Sequence, residues 1–194
     1  SLALLVAVAL AFDFMNGFHD GANSISTIVA TGALTPKQAV AFAAFFNGIA
    51  IVVLGYAVAA TMGKGLVHKD VVDIHVVFGA LVGGLTWNTV TWYYGIPSSS
   101  SHALAGGIVG AAITKAGAGA VISSGLIKII IFIFLSPLLG FLLGSLLMVL
   151  VAHLFKKASP ARVDRWFRRL QLFSAAAFSL GHGGNDAQKT IGII

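Results

Sequence analysis

Asp13, Asn16, Asp20, Asn23 and Thr27 follow one another at steps of three, four, three and four. On an α-helix this spacing makes a single stripe, so carboxylates, carboxamides and a hydroxyl all face one way. Such a face suits a cation or a proton, and it equally suits hydrogen bonds that glue one helix to the next. The setting makes the stripe unusual: Phe14 to Thr31 reads FMNGFHDGANSISTIVAT in a chain that is 58% hydrophobic and 9% charged. A carboxylate deep in a bilayer costs at least ~2.5 kcal/mol even on lenient insertion scales, so it normally faces a cavity or a partner. Asp20 with Asn23 is therefore read as part of a coupling-cation site, whereas Asp13 leaves both roles open. His19, with a reference pKa of about 6.5, is either a proton carrier or a cavity-lining donor. Gly17 and Gly21 flank the cluster and weaken a helix by roughly 1 kcal/mol each relative to Ala, which points to a break that frees backbone groups for a ligand.

A second polar cluster lies in GHGGNDAQKTIGII, Gly181 to Ile194. Here Asn185, Asp186, Lys189 and Thr190 are spaced at helical neighbours, and Lys189 can reach Asp186 or an anion. A lysine at depth is costly unless it has a partner or snorkels to an interface. Laying Gly17–Ile25 over Gly183–Ile191 matches Gly, Asp and Ile, with Ser over Thr. A register shifted by three, His19 over His182 and Thr27 over Thr190, scores about as well. Both registers mark the same pair of segments as candidate copies of one unit.

The complementary half is GIPSSSSHALAGGIVGAAITKAG, Gly95 to Gly117. Pro97 suits the first turn of a helix, and Ser98, Ser99, Ser100 and Ser101 set hydroxyls beside the unsatisfied N–H groups of a helix N-terminus. That combination binds anions; its alternative is an ordinary helix cap. Gly106, Gly107 and Gly110 favour close packing around a ligand. An anion site and carboxylates sharing one cavity repel each other unless a positive charge enters with the substrate. The pattern describes cation-coupled anion transport, with sodium ions or protons as coupling ions, more naturally than a passive pore. A membrane-embedded phosphatase using Ser98 with His102 is a competing class, but no GxSxG or HExxH motif is present and the pair lacks a clear orienting acid.

The elements that must carry these groups follow from the apolar pattern. Mean hydropathy is +0.96, and apolar runs long enough to cross a ~30 Å hydrocarbon core as helices recur along the chain. Ten-residue strand-like alternation is missing, so an all-α, polytopic bundle is expected rather than a β-barrel. Leu2 to Thr31, Gln38 to Met62, Ile74 to Tyr93 and Leu126 to His153 are the expected spans, the last long enough to bend near Pro137 and Gly140. Trp87, Trp92, Tyr93 and Tyr94 rim the third span as an interfacial belt would. Gly95 to Gly117 is a short span or a pair of half-helices that enter and leave on one side. Asn47, Asn88 and Thr86 are expected to bond neighbouring helices, and His68, His75 and His153 to lie near interfaces, with no functional role.

The net charge of +6 does not point to nucleic acid, because half of the twelve Lys and Arg lie in KKASPARVDRWFRR, Lys156 to Arg169. This is the pattern of a cytoplasmic loop. If Gly95 to Gly117 crosses fully, five crossings precede the loop and the N-terminus lies outside. An odd count inserts a second copy of the unit upside down, as in inverted-topology repeat transporters. The chain has no Cys, so disulfides and thiolate metal sites are excluded. It starts at Ser1 without a basic n-region and stops in an apolar run at Ile194, so a fragment without a cleaved signal peptide is expected.

NGFHDGANSISTIVATGALTP, GIPSSSSHALAGGIVGA and FSLGHGGNDAQKTIGII together resemble the inorganic phosphate transporter family in its bacterial branch, in the family's order and spacing. The resemblance covers the whole chain. It implies a secondary transporter of two inverted repeats that imports inorganic phosphate with sodium ions or protons, sometimes as a neutral metal–phosphate complex. Asp20 and Asn23 then correspond to the first acidic motif and Asn185 with Asp186 to the second, which favours stacking Asp20 on Asp186. Asp20 and Asp186 would hold sodium if sodium is the coupling ion. Ser98 to Ser101 fall on the family's Pro-Ser/Thr motif, with Asn23, Lys189 and Thr190 as further phosphate contacts. The second copy of that motif is missing here.

The expected organisation is a first transmembrane repeat at 1–155, a basic cytoplasmic loop at 156–169 and the start of a second, truncated repeat at 170–194. The expected setting is a multi-pass protein of the inner cell membrane, not an enzyme, with phosphate and lipid as partners and a homodimer as a compatible assembly. A permease for another oxyanion such as sulfate is the nearest alternative.

Overall fold

The computed structural model describes residues 2–54 and 65–191, with the side chains at 51 and 187–191 outside the described set. The described residues form helices α1 (Leu2–Ala30), α2 (Pro36–Leu54), α3 (Ile74–Tyr93), α4 (Ser100–Ala116), α5 (Ser123–Phe155) and α6 (Pro160–Ile191). Single 3-10 turns, Lys69–Val71 and Ala118–Ala120, complete the order. Four of the helices, α1, α2, α3 and α5, are long and apolar enough to cross a membrane.

α1 and α3 run side by side in the same direction. Leu5, Ala9 and Phe12 of α1 pack with Val77 and Leu81 of α3 and Leu104 of α4 in one buried cluster. Further along, the Phe18 and Trp92 rings meet edge to face with centroids 5.4 Å apart. α4 returns antiparallel to α3 at close range, because small residues remove the side chains that would separate the backbones. A Cβ added at Gly107 would lie 2.5 Å from the Ala80 carbonyl oxygen, and one at Gly79 would lie 3.3 Å from Ala111 Cβ.

This register decides how the α3–α4 hairpin sits. Its tip begins after Tyr93, next to the level of Phe18, while the remainder of α1 to Ala30 extends roughly 18 Å further at ~1.5 Å per residue. The hairpin therefore stops about midway along α1 and turns back, which is re-entrant geometry. Segment 95–117 is a tip followed by one continuous helix, α4, rather than a pair of half-helices. At this end of the hairpin Trp92 meets Phe18 and Trp87 donates to Ser98, while Tyr93 and Tyr94 are exposed. If the hairpin returns to its own side, three candidate spans, α1, α2 and α5, precede the basic segment. Their number is odd, as it was with five.

α1 also departs from expectation. It runs unbroken through Gly17 and Gly21, because a helix this long keeps its backbone bonds satisfied even where glycine weakens it. Pro97 lies before the N-cap Ser99 rather than in the first turn of α4. α5 contains Pro137 within a single 33-residue helix and buries none of its residues against the rest of the described chain.

The other wall is α2 with α6. Ile28, Ala39 and Ala175 form a buried cluster joining α1, α2 and α6. Where α1 ends, the Thr31 hydroxyl donates to Gln171 Oε1 at 2.8 Å and Arg168 reaches the Gly32 carbonyl at 3.4 Å. Gly32 has φ 66°, a left-handed turn that glycine adopts without strain. At the opposite end, Asp73 caps α3 by accepting from the amides of His75 and Val76, and Lys115 closes over it with a 2.8 Å ion pair. Lys115 holds the Asp73 carboxyl well below the usual carboxylate range, with the Val76 amide helping.

Candidate functional site in a cavity between three helices

The acidic groups of the two polar segments meet in space. Asp20 on α1 and His182 and Asp186 on α6 each present one ligand atom, and these atoms lie within 4.8 Å of one another. All are half-buried, and Asp20, distant in sequence from the other two, is brought to them by the antiparallel docking of α6 on α1. His182 Nε2 stands 3.2 Å from Asp186 Oδ2 one turn along, and its ring is stacked on Phe178 with centroids 5.8 Å apart. Asn23 donates its amide to Asp20 Oδ1 at 3.4 Å.

Beside this cluster is a cavity of about 320 Å³ lined by Asp13, Asn16 and Gly17 of α1, Asn47 of α2, and His182 and Asp186 of α6. Close approach of α2 and α6 shapes it. A Cβ on Gly183 would fall 2.6 Å from Asn47 Cα and 2.7 Å from its carbonyl oxygen. The carboxamide oxygens of Asn16 and Asn47 are buried and accept no hydrogen bond among the described residues. A buried acceptor left without a donor costs roughly 1–3 kcal/mol. Both residues also line the cavity that Asp13 and Asp186 border, and carboxylates with carboxamide groups are the oxygen ligands a hard cation prefers.

The expected stripe divides at its middle. Asp13 and Asn16 line the cavity and Asp20 joins the acidic cluster, while Asn23 and Thr27 are exposed in this chain. Asn185 is also exposed and does not line the cavity; Asp186, one residue on, does. A helix turns about 100° per residue, which carries the Asn185 side chain away from the face that Asp186 presents. Lys189 and Thr190 lie on the α6 backbone, with side chains outside the described residues. The sequence reading missed Asn47, assigned there only to gluing helices, and His182, whose spacing of four from Asp186 was the available signal. Asn88 was expected to bond a neighbouring helix, yet both atoms of its buried carboxamide are unpartnered among the described residues.

The serines occupy the hairpin tip. Ser99 is the N-cap of α4 and its hydroxyl accepts from the His102 amide at 3.4 Å. Ser98 accepts from the Trp87 indole at 3.1 Å, and Ser100 is buried. The amides of Ser100 and Ser101 begin the helix and lie outside its own ladder of bonds, as the first turn of any helix does. Ser98 also lines a groove of about 500 Å³ with Trp87, His102 and Gly106. By the α1–α3 register this tip lies at the level of Asp13 to Phe18, so the hydroxyl-rich helix start and the carboxylates share a depth though no described bond joins them.

A bundle with four helices long and apolar enough to cross a membrane, a helical hairpin and a polar cavity at mid-length defines a multi-pass membrane protein. The family model "Phosphate transporter family" matches residues 16–194, and the chain belongs to that family. It is 55% identical over 190 residues to a "Probable low-affinity inorganic phosphate transporter" of Rhizobium meliloti, covering 98% of this chain and 57% of that protein. It is 45% identical to a protein of the same description from Streptomyces halstedii, covering 94% of this chain and 85% of that one. The "Low-affinity inorganic phosphate transporter PitB" of Escherichia coli is 31% identical, with 100% of this chain and 44% of that protein covered. The chain thus spans about half the length of most of these relatives. Among solved structures, "The sodium-dependent phosphate transporter" superposes with TM-score 0.83 at 20% identity, over 99% of this chain and 66% of that one. That likeness shows the shared fold.

Proposed function

We propose that the chain forms part of a secondary transporter that imports inorganic phosphate together with a cation. The observation that carries the proposal is the convergence of Asp20, His182 and Asp186 within 4.8 Å beside a cavity that Asn16 and Asn47 line. Carboxylates within a membrane are costly and gather where they line a cavity or an ion path. The anion is held mainly by the start of α4, where the Ser98–Ser101 hydroxyls and the first amides offer donors. The family and the names of the relatives support phosphate as the anion, and those relatives are named as transporters rather than enzymes.

In this reading Asp20 and Asp186 bind the coupling cation, beside a cavity that Asp13, Asn16 and Asn47 line. Proton coupling would require only one of the carboxylates. His182 adds a nitrogen donor, a ligand type that suits divalent transition metals better than sodium. That observation favours, as a second reading, cargo in the form of a neutral metal–phosphate complex. The second acidic segment on α6 belongs to an inverted partner repeat, in keeping with the odd number of crossings.

The test is uptake of radiolabelled phosphate by the full-length protein in proteoliposomes, with sodium replaced by choline at fixed pH. Sodium coupling gives loss of uptake in choline. Uptake that survives choline but follows an imposed pH gradient assigns the proton, and uptake that needs a divalent metal assigns the complex. Phosphate uptake independent of all three would overturn the reading, and equal competition by sulfate would move it to a broader oxyanion permease.

A further inference from the structure

Between the end of α5 and the start of α6 lies a cavity of about 330 Å³ lined by Phe155, Arg162, Val163, Trp166, Phe167 and Leu170. We propose that it is a binding site for one anionic phospholipid of the leaflet that faces the basic segment, with the lipid phosphate on Arg162, Arg165 and Arg169 and an acyl chain against the aromatic wall.

The arginines of this segment fall into separate groups. Arg168 shares its Nε–H between the two Asp164 carboxylate oxygens at 3.0 and 3.1 Å and reaches the Gly32 carbonyl through a terminal nitrogen, so it ties α6 to the end of α1. Arg162, Arg165 and Arg169 are exposed, and no hydrogen bond or ion pair engages them among the described residues. They recur at steps of three and four, a single stripe on α6, and Arg162 itself lines the cavity. Three uncommitted guanidinium groups on one stripe fit a phosphodiester, whose oxygens accept the paired N–H groups of arginine.

The apolar part selects a lipid over a soluble anion. Phe155 and Phe167 meet edge to face with centroids 5.2 Å apart, and Trp166 is 57% exposed. The cavity opens beside the end of α5, a 33-residue helix with no buried residue. At ~1.5 Å per residue that helix is roughly 50 Å long, well beyond a ~30 Å hydrocarbon core. Its last turns and the start of α6 therefore reach headgroup level. A volume near the lower end of the range for ligand pockets, about 300–1,000 Å³, takes a stretch of acyl chain and leaves the headgroup outside among the arginines. Juxtamembrane arginines add roughly 1 kcal/mol each towards an anionic surface. A free phosphate would use the arginines and leave the aromatic wall uncovered.

The experiment uses full-length protein in nanodiscs, comparing phosphatidylglycerol with phosphatidylcholine. Lipid retained through purification is counted by native mass spectrometry. Wild type should retain phosphatidylglycerol saturably, melt several degrees higher in its presence, and lose both effects as salt rises. Arg162→Gln should weaken retention at least threefold and the Arg162/Arg165/Arg169→Gln variant should abolish it. Lys128→Gln, a charge removed at the opposite end of α5, should retain it fully. If the triple variant does not fold, the wild-type lipid preference and its salt dependence decide alone. Equal retention of phosphatidylcholine, retention unaffected by Arg162→Gln, or displacement by millimolar inorganic phosphate would each overturn the proposal.

Discussion

Gly183→Ala tests the packing that forms the cavity, and its expected size can be worked from the contacts. The new Cβ would lie 2.6, 2.7 and 2.9 Å from Asn47 Cα, its carbonyl oxygen and its Cβ. Reaching an ordinary contact requires α2 and α6 to separate by ~1 Å, and backbone atoms cannot turn aside; overpacking of this kind costs ~1–3 kcal/mol. Replacing glycine in a helix interior returns up to ~1 kcal/mol of propensity, so the net loss is about 0–3 kcal/mol. The functional loss is larger, because Asp186 lies three residues on and shares the cluster with Asp20. A misplacement of ~1 Å at a reacting or binding constellation can cost ~100-fold, and a 10–100-fold drop in phosphate uptake is expected. Gly181→Ala is the matched control, since its Cβ meets nothing within 4 Å and propensity alone should leave it as stable as wild type or more so. Uptake in proteoliposomes and melting in detergent are measured for both variants of the full-length protein. If Gly183→Ala matches Gly181→Ala in both assays, the close α2–α6 approach and the cavity built on it are wrong.

Gly107→Ala should force the α3–α4 hairpin open and lower the melting temperature by several degrees, whereas Gly106→Ala, with no atom within 4 Å of its added Cβ, should not. Trp87→Phe removes the indole that donates to Ser98 and should raise the KM for phosphate severalfold with little change in kcat, checked by concentration-dependent uptake. Asp73→Asn should lower the melting temperature by loosening the start of α3. The native pH dependence has a defined sign: the folded-state pKa of Asp73 is depressed, so its contribution is complete above the unfolded value of about 4 and is lost as pH falls towards the folded one. The native-minus-variant difference in melting temperature should therefore shrink below about pH 4.

Several elements were legible because lipid is a demanding solvent. A run such as Ile74 to Tyr93 must be helical to satisfy its backbone, and the structure places α3 over those same residues. Asp20 and Asp186 stood out because carboxylates are costly in such runs. What the sequence could not provide was depth. α3 is long and apolar enough to cross, and only its register against α1, fixed by Phe12 on Gly84 and Phe18 on Trp92, shows that the α3–α4 hairpin turns back about midway along α1. Nor could it rank polar residues within a span. Asn47 and Asn88 look alike in sequence, yet one borders the cavity and the other is enclosed between helices. Gly17 and Gly21 misled for the opposite reason, because local propensity yielded to the continuous ladder of a membrane helix.

In the proposed division of labour, the carboxylates serve the cation and the start of α4 serves the anion. That division is tested most directly by Asp20→Asn in the full-length protein, measuring cation-gradient-driven accumulation of radiolabelled phosphate alongside equilibrium phosphate binding. Accumulation should fall to background while phosphate still binds at saturating concentration. Undiminished accumulation against a gradient would contradict the claim.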